Sequence, residues 1–257
     1  MKKVKIFSMV LVMTVILTAC FSKEKSTSSV TKAKTDKPKT VVVNPIKTPE
    51  SVKQPSTEDK IVIPPVAKIK EINGFVLLSS LDKDIVIGLK YATSDNFTHR
   101  IIYPNNICVL RRSTADKLVK ANAGLEKLGY RIKVWDAYRP VYVQKIFWDI
   151  VKDSRFVANP KTGGSIHNRG CAVDITLVDK NGNELLMPSK FDDFTSKAYR
   201  TNSSSQGEAR KNMELLTKYM VDNGFKTLDT EWWHFDDLDS KKYAIADIDL
   251  NLFIEPK

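Results

Sequence analysis

From residue 84 onward, apolar positions recur with a period of two in some stretches and of about 3.6 in others. Asp84-Ile85-Val86-Ile87-Gly88-Leu89-Lys90-Tyr91 alternates and predicts a strand over 84–91. Ser113 to Leu128 predicts a helix. Ser113 reads as its N-cap, Asp116 falls in the first turn, Leu118, Val119, Leu125 and Leu128 form one apolar stripe, and Gly129 supplies the stop. Arg131 to Trp135 alternates charged and apolar residues as a half-buried strand does. A second helix is expected over Val141 to Val151, just after Pro140, and a strand over the β-rich stretch Cys171 to Val178. Gln206 to Asn223 predicts a long helix with Met213, Leu216, Tyr219 and Met220 on its apolar side and Gly224 at its end. Glu231 to Phe235 reads as an aromatic strand. Strands and helices thus alternate, separated by two long polar loops, 153–170 and 179–205, and long loops in compact domains are often functional. The expected fold class is α+β: a mostly antiparallel central sheet with helices packed on one side.

The N-terminal pattern is different. Lys2, Lys3 and Lys5 precede an apolar run of 12 residues, Ile6 to Leu17, broken only by Ser8 and Thr14. A membrane-spanning helix needs roughly 20 apolar residues, so the run fits the core of a secretory signal peptide. It ends Leu17-Thr18-Ala19-Cys20, which resembles the lipobox of bacterial lipoproteins, where the cysteine is lipidated and becomes the new N-terminus. Residues 1–20 are therefore expected to be a lipoprotein signal peptide and Cys20 the lipid anchor. Residues 21–70, rich in Lys, Ser, Thr, Val and Pro and without Gly, show no sustained period and read as a disordered tether. The peptidase-sized remainder, 71–257, is long enough for one core.

Charge supports the same division. The net charge of +11 is concentrated in residues 1–70, with 14 Lys and 5 acids, leaving 27 basic and 25 acidic residues beyond. A nucleic-acid footprint needs its charge on the folded domain, so no nucleic-acid partner is expected. A basic tether instead suits an anionic membrane or wall polymer, and the expected location is the outer face of the cytoplasmic membrane. Beyond Cys20 there are two cysteines, Cys108 and Cys171. In an exported domain they can form a disulfide or serve as two small buried hydrophobes, and the spacing leaves both open.

The chain has three histidines, and two stand in dense contexts: Ser165-Ile166-His167-Asn168-Arg169-Gly170-Cys171-Ala172-Val173-Asp174 and Glu231-Trp232-Trp233-His234. Zinc in hydrolases usually takes three ligands from His, Asp and Glu and keeps one position open for water. In the strand after His167, Cys171, Val173 and Ile175 share one face and belong in the core. Ala172, Asp174 and Thr176 share the other. Asp174 then meets His167 and His234 as a candidate ligand set, and Glu231 is the natural general base for the water. On a regular strand 231 and 234 face opposite sides, so Glu231 must sit at a turn, a bulge or a strand end. His99, in a loop, reads as a non-ligand.

The patterns SxHxxGxAxD and ExWH resemble the zinc D-Ala-D-Ala peptidases, which include the VanX-type dipeptidases and the VanY-type carboxypeptidases. Leu89-Lys90-Tyr91-Ala92-Thr93-Ser94-Asp95-Asn96-Phe97-Thr98 looks like the N-terminal signature of the dipeptidase branch, and Trp135-Asp136-Ala137-Tyr138-Arg139-Pro140 like its arginine motif. The resemblance covers about residues 72–255. It implies one Zn2+ ion held by His167, Asp174 and His234, Glu231 as general base, and Arg139 as the cation that stabilises the oxyanion. It also implies that Tyr91, Ser165 and Asp192 recognise the dipeptide termini, with Asp192 (or, in the other register, Asp193) pairing with a free substrate ammonium. The implied activity is hydrolysis of D-alanyl-D-alanine. A D,D-carboxypeptidase acting on peptidoglycan stem peptides and a non-catalytic zinc domain that binds the wall are the rival readings. The dipeptidases of this branch that confer antibiotic resistance work in the cytoplasm, whereas this chain carries an export signal, so scavenging or turnover of wall fragments fits better than antibiotic resistance.

Overall fold

The structure is a computed structural model that describes residues 69–254. The expected signal peptide with Cys20, and all of the expected tether except Ile69 and Lys70, lie outside the described residues. In chain order the elements are β1 (Glu71–Ile72), β2 (Phe75–Leu77), β3 (Val86–Ile87), β4 (Val109–Arg111), α1 (Arg112–Glu126), β5 (Tyr130–Asp136), α2 (Val141–Val151), β6 (Ala172–Asp179), α3 (Gly207–Asp222), β7 (Phe225–Leu228) and β8 (Glu231–Asp237). The fold is mixed α+β. A small antiparallel sheet has the order β1-β2-β4, and a five-stranded sheet has the order β3-β5-β6-β8-β7. In the larger sheet only β3 and β5 run parallel.

Apolar periodicity explains the core. Val173, Ile175 and Leu177 of β6 join Ile132 and Val134 of β5, Leu118 and Leu125 of α1, and Leu216 and Met220 of α3 in one buried cluster. Ala172, Asp174 and Thr176 on the opposite face are buried too, so the sheet is covered on both sides. This corrects the expectation of helices on one side only. Helix α2 lies on the site side, where Phe147 stacks against Tyr91 at 4.5 Å and lines a cavity with Asp174.

Two local expectations also change. The strand expected over 84–91 shrinks to β3, because the Leu89 amide bonds Asn106 Oδ1 instead of a ladder partner and the chain turns into a 3-10 turn, Lys90–Ala92. Ser113 is not an N-cap: β4 runs directly into α1, and the Ser113 hydroxyl lies 2.8 Å from the Tyr243 hydroxyl. Cys108 and Cys171 are both free and buried.

Two irregularities re-aim the site residues. Between β5 and β6, Val134 faces Ile175 but Asp136 faces Asp174, so Trp135 is an extra residue. Between β7 and β8, Leu228 faces Glu231 while Thr227 faces Phe235, which leaves Trp232, Trp233 and His234 bulged out of the pairing. Bulges are frequent beside active sites because they turn a side chain to a face that regular alternation denies it.

Candidate metal centre

His167, Asp174 and His234 come together from three elements. Asp174 and His234 are direct cross-strand partners on β6 and β8. His167 lies in a 3-10 turn, Ile166–Arg169, just ahead of β6. Ser165 caps that turn by accepting the His167 amide at 3.2 Å, and the Ser165 amide donates in return to Asn168 Oδ1 at 2.8 Å. Gly170 ends the turn at φ 71°, a conformation that a side chain resists. The two histidines are buried, at 2% and 8% exposure.

The donor set fits a tetrahedral ion. His167 Nε2 lies 3.2 Å from His234 Nδ1 and 3.4 Å from Asp174 Oδ1, and His234 Nδ1 lies 3.0 Å from that same oxygen. Four-coordinate zinc with bonds of about 2.0–2.1 Å holds its ligand atoms roughly 3.3 Å apart. The outer nitrogens are fixed as well. His167 Nδ1 is 2.7 Å from the Ala137 carbonyl, and His234 Nε2 is 2.9 Å from Asp236 Oδ1. Both acceptors require a proton on that nitrogen, so the lone pairs of His167 Nε2 and His234 Nδ1 turn to the centre. Burial would lower the His234 pKa, but hydrogen bonds to Asp174 and Asp236 override it and push it up to about 10. Burial would likewise raise Asp174, yet the two histidines hold it far below the usual carboxylate range. The pocket is thus organised around positive charge.

Glu231 opens β8, and the bulge after it brings it to the cavity shared with Asp174 and His234. Burial pushes its carboxyl up to about 7. Arg139 is held from behind: Nε and one terminal nitrogen donate to Asp136 Oδ2 at 2.8 and 2.6 Å, and the other terminal nitrogen donates to Gln144 at 2.9 Å. Its guanidinium approaches Asp174 Oδ2 to 3.7 Å. Asp136 also accepts the Tyr103 hydroxyl at 2.6 Å. Asp136, Ala137, Gln144 and Asp236 were not singled out as site residues from the sequence. Asp236 was the findable one, since it stands two positions from His234 on the same strand face.

Tyr91 donates to Asp192 at 3.1 Å, and Asp192 adopts a left-handed φ of 58° that aims it inward. Burial pushes the Asp192 carboxyl up to about 8, and Asp174 adds to the rise. Asp193 instead accepts from Thr195 in its own loop, which favours Asp192. A small cavity of about 30 Å³ lies among Tyr91, Arg139, Phe147, Asp174, Asp192 and Glu231, and a wider one of about 250 Å³ opens past Ser165, His167 and His234. Ser165 is at the rim of the wider cavity, although its hydroxyl is engaged in the cap. His99 is exposed and lies outside the ligand cluster.

A buried two-histidine, one-carboxylate centre with an adjacent glutamate and a braced arginine is the arrangement of a metallopeptidase. The profile of peptidase family M15, described as D-Ala-D-Ala dipeptidase, matches residues 71–251, and the chain belongs to that family. It is 34% identical over 179 residues to the D-alanyl-D-alanine dipeptidase of Escherichia coli K12, covering 70% of this chain and 92% of that one. It is 28% identical over 183 residues to the enzyme of the same description from Enterococcus faecalis V583, covering 63% of this chain and 91% of that one. A solved structure of the D,D-pentapeptidase VanY in complex with Zn(II) superposes with a TM-score of 0.35 at 18% identity, covering 55% of this chain and 80% of that one.

Proposed function

We propose that this chain is a zinc-dependent D-alanyl-D-alanine dipeptidase. The observation that carries the reading is the triangle of donor atoms at 3.0–3.4 Å, with Glu231 and Arg139 on the same cavity. His167, Asp174 and His234 would hold one zinc ion, which when bound lowers the pKa of an attached water towards roughly 7 and polarises the scissile carbonyl. Glu231 takes the proton from the attacking water. It later passes that proton to the leaving amine, as a carboxyl with a raised pKa is suited to do. Arg139, immobilised by Asp136 and Gln144, directs its charge at the oxygen where negative charge develops. Asp192, steadied by Tyr91, accepts the substrate's free ammonium group. The inner cavity of about 30 Å³ has room for roughly one methyl-sized group, which suits alanine side chains.

The domain would stand outside the cell on a tether over 21–70, anchored through a lipid on Cys20, and would act on dipeptide or wall fragments at the membrane surface. The test is hydrolysis of D-Ala-D-Ala by chelator-stripped protein titrated with zinc. Activity should return in proportion to zinc and saturate at one ion per chain. Metal binding without hydrolysis would instead indicate a silent wall-binding domain.

A further inference from the structure

The bulge between β7 and β8 creates a problem that the strands themselves do not solve. Leu228 pairs with Glu231, and the next rung joins Thr227 to Phe235. Trp232, Trp233 and His234 therefore face no partner on β7, although all three are buried. Buried backbone carbonyls without a donor are strongly disfavoured, so something must fill the gap.

Arg200 fills it. Its Nε donates to the Leu228 carbonyl at 3.0 Å and one terminal nitrogen donates to the His234 carbonyl at 3.0 Å, so a single guanidinium spans both strands. The other terminal nitrogen donates to Thr217 Oγ1 of α3 at 2.8 Å. The plane stacks on Phe235 at 4.6 Å, and the Arg200 amide donates to the Asp229 carbonyl in the hairpin turn at 2.9 Å. Arg200 is only 9% exposed and forms no ion pair with a carboxylate among the described residues. Buried arginines ordinarily face acids or phosphates. This one faces backbone oxygens and a hydroxyl, at the one place where the ladder of the larger sheet is interrupted beside the metal centre.

We propose that Arg200 is a positioning residue for the reaction. It substitutes for the missing rungs, and so holds the bulge in the shape that turns Glu231 and His234 towards the same cavity. Arg200 touches neither substrate nor metal and acts through the His234 carbonyl and the end of β7. The inference rests on the roles given to His234 and Glu231 above. A rigid planar fork is required: lysine has one point of contact and reaches one strand at a time.

The experiment uses the full chain as wild type, Arg200→Ala, Arg200→Lys and Thr217→Val. It measures kcat and KM on D-Ala-D-Ala, zinc affinity by chelator competition, the visible absorption of the cobalt-substituted protein and thermal unfolding. Arg200→Ala should lose about 100-fold in kcat with little change in KM, as expected when a reacting group moves by about 1 Å. Its zinc affinity should fall about tenfold, the scale seen when support of a ligand is removed, and the cobalt spectrum should change. Millimolar guanidinium should restore part of the lost kcat, and Arg200→Lys should fall between alanine and wild type. Arg200→Ala that unfolds at lower temperature but keeps kcat, zinc affinity and cobalt spectrum would overturn the proposal. Should Arg200→Ala fail to fold, Thr217→Val decides: a severalfold loss in kcat at constant KM supports the proposal, and an unchanged kcat overturns it. A wild type that neither binds zinc nor hydrolyses dipeptide defeats the functional reading and this inference together. Unaffected variants beside an active, zinc-loaded wild type defeat this inference alone.

Discussion

Each group at the centre is useful because of the group behind it. Glu231 must be ionised to accept a proton, and its pKa of about 7 in the metal-free pocket falls when a cation arrives nearby. The rate should therefore rise with pH through one ionisation at or below about 7, read from the pH profile of kcat. Glu231→Gln should bind zinc as wild type does yet lose roughly 10²- to 10⁴-fold in kcat, the contribution typical of a general base. His234 titrates in the opposite sense. With its pKa held near 10 it carries a proton at neutral pH, and zinc must displace it. Calorimetry in buffers of different ionisation enthalpy should find about one proton released per zinc at pH 7, and apparent affinity should weaken as pH falls. Asp236→Asn removes the carboxylate that fixes the His234 ring and should weaken zinc binding by about 10- to 100-fold, measured by chelator competition.

At the scale of elements, periodicity was a good guide where a segment has one buried face and a poor one where tertiary partners intervene. Helix α2 spans the expected 141–151, and α3 and β6 fall within a residue or two of their expected ends. The stretch 84–91 alternates as a strand should, but Asn106 captures the Leu89 amide, and no local pattern announces a side chain 17 positions away. The short strands β1, β2, β4 and β7 were not anticipated, since two to four residues carry too little period to read. The pattern did show that Glu231 and His234 cannot share a face of a regular strand. It left a turn, a bulge or a strand end open, and the fold uses two of them: Glu231 begins β8 and the next three residues bulge. Arg200 left no trace in the sequence, because its partners are carbonyls and every residue has one. The 3-10 turn holding His167 depends on Gly170 at φ 71°, where an added Cβ would collide with the Phe75 ring. Gly170→Ala should destabilise the domain by about 1–3 kcal/mol or more from backbone conformation and crowding, measured by denaturant unfolding.

At the scale of the molecule, the candidate site was legible as chemistry before it was legible as geometry. The ligands His167, Asp174 and His234 and the pair Glu231 and Arg139 could be named from motifs, and the fold gathers them at one cavity. What the motifs left out is the scaffold: Asp136 and Gln144 behind Arg139, the Ala137 carbonyl behind His167, Asp236 behind His234. The remaining question for the whole protein is the length of substrate it accepts, which its proposed place at the cell surface makes pressing. Asp192, poised by Tyr91 beside the inner cavity, gives the account its central claim: the substrate must bring a free ammonium group next to the scissile bond. The most direct measurement is kcat/KM for free D-Ala-D-Ala against a stem pentapeptide ending in D-Ala-D-Ala, with zinc quantified in the same samples. A preference of about 100-fold or more for the free dipeptide is expected, the scale of a charged contact of about 3 kcal/mol. Equal rates, or a preference for the pentapeptide, would contradict the account and make the chain a carboxypeptidase.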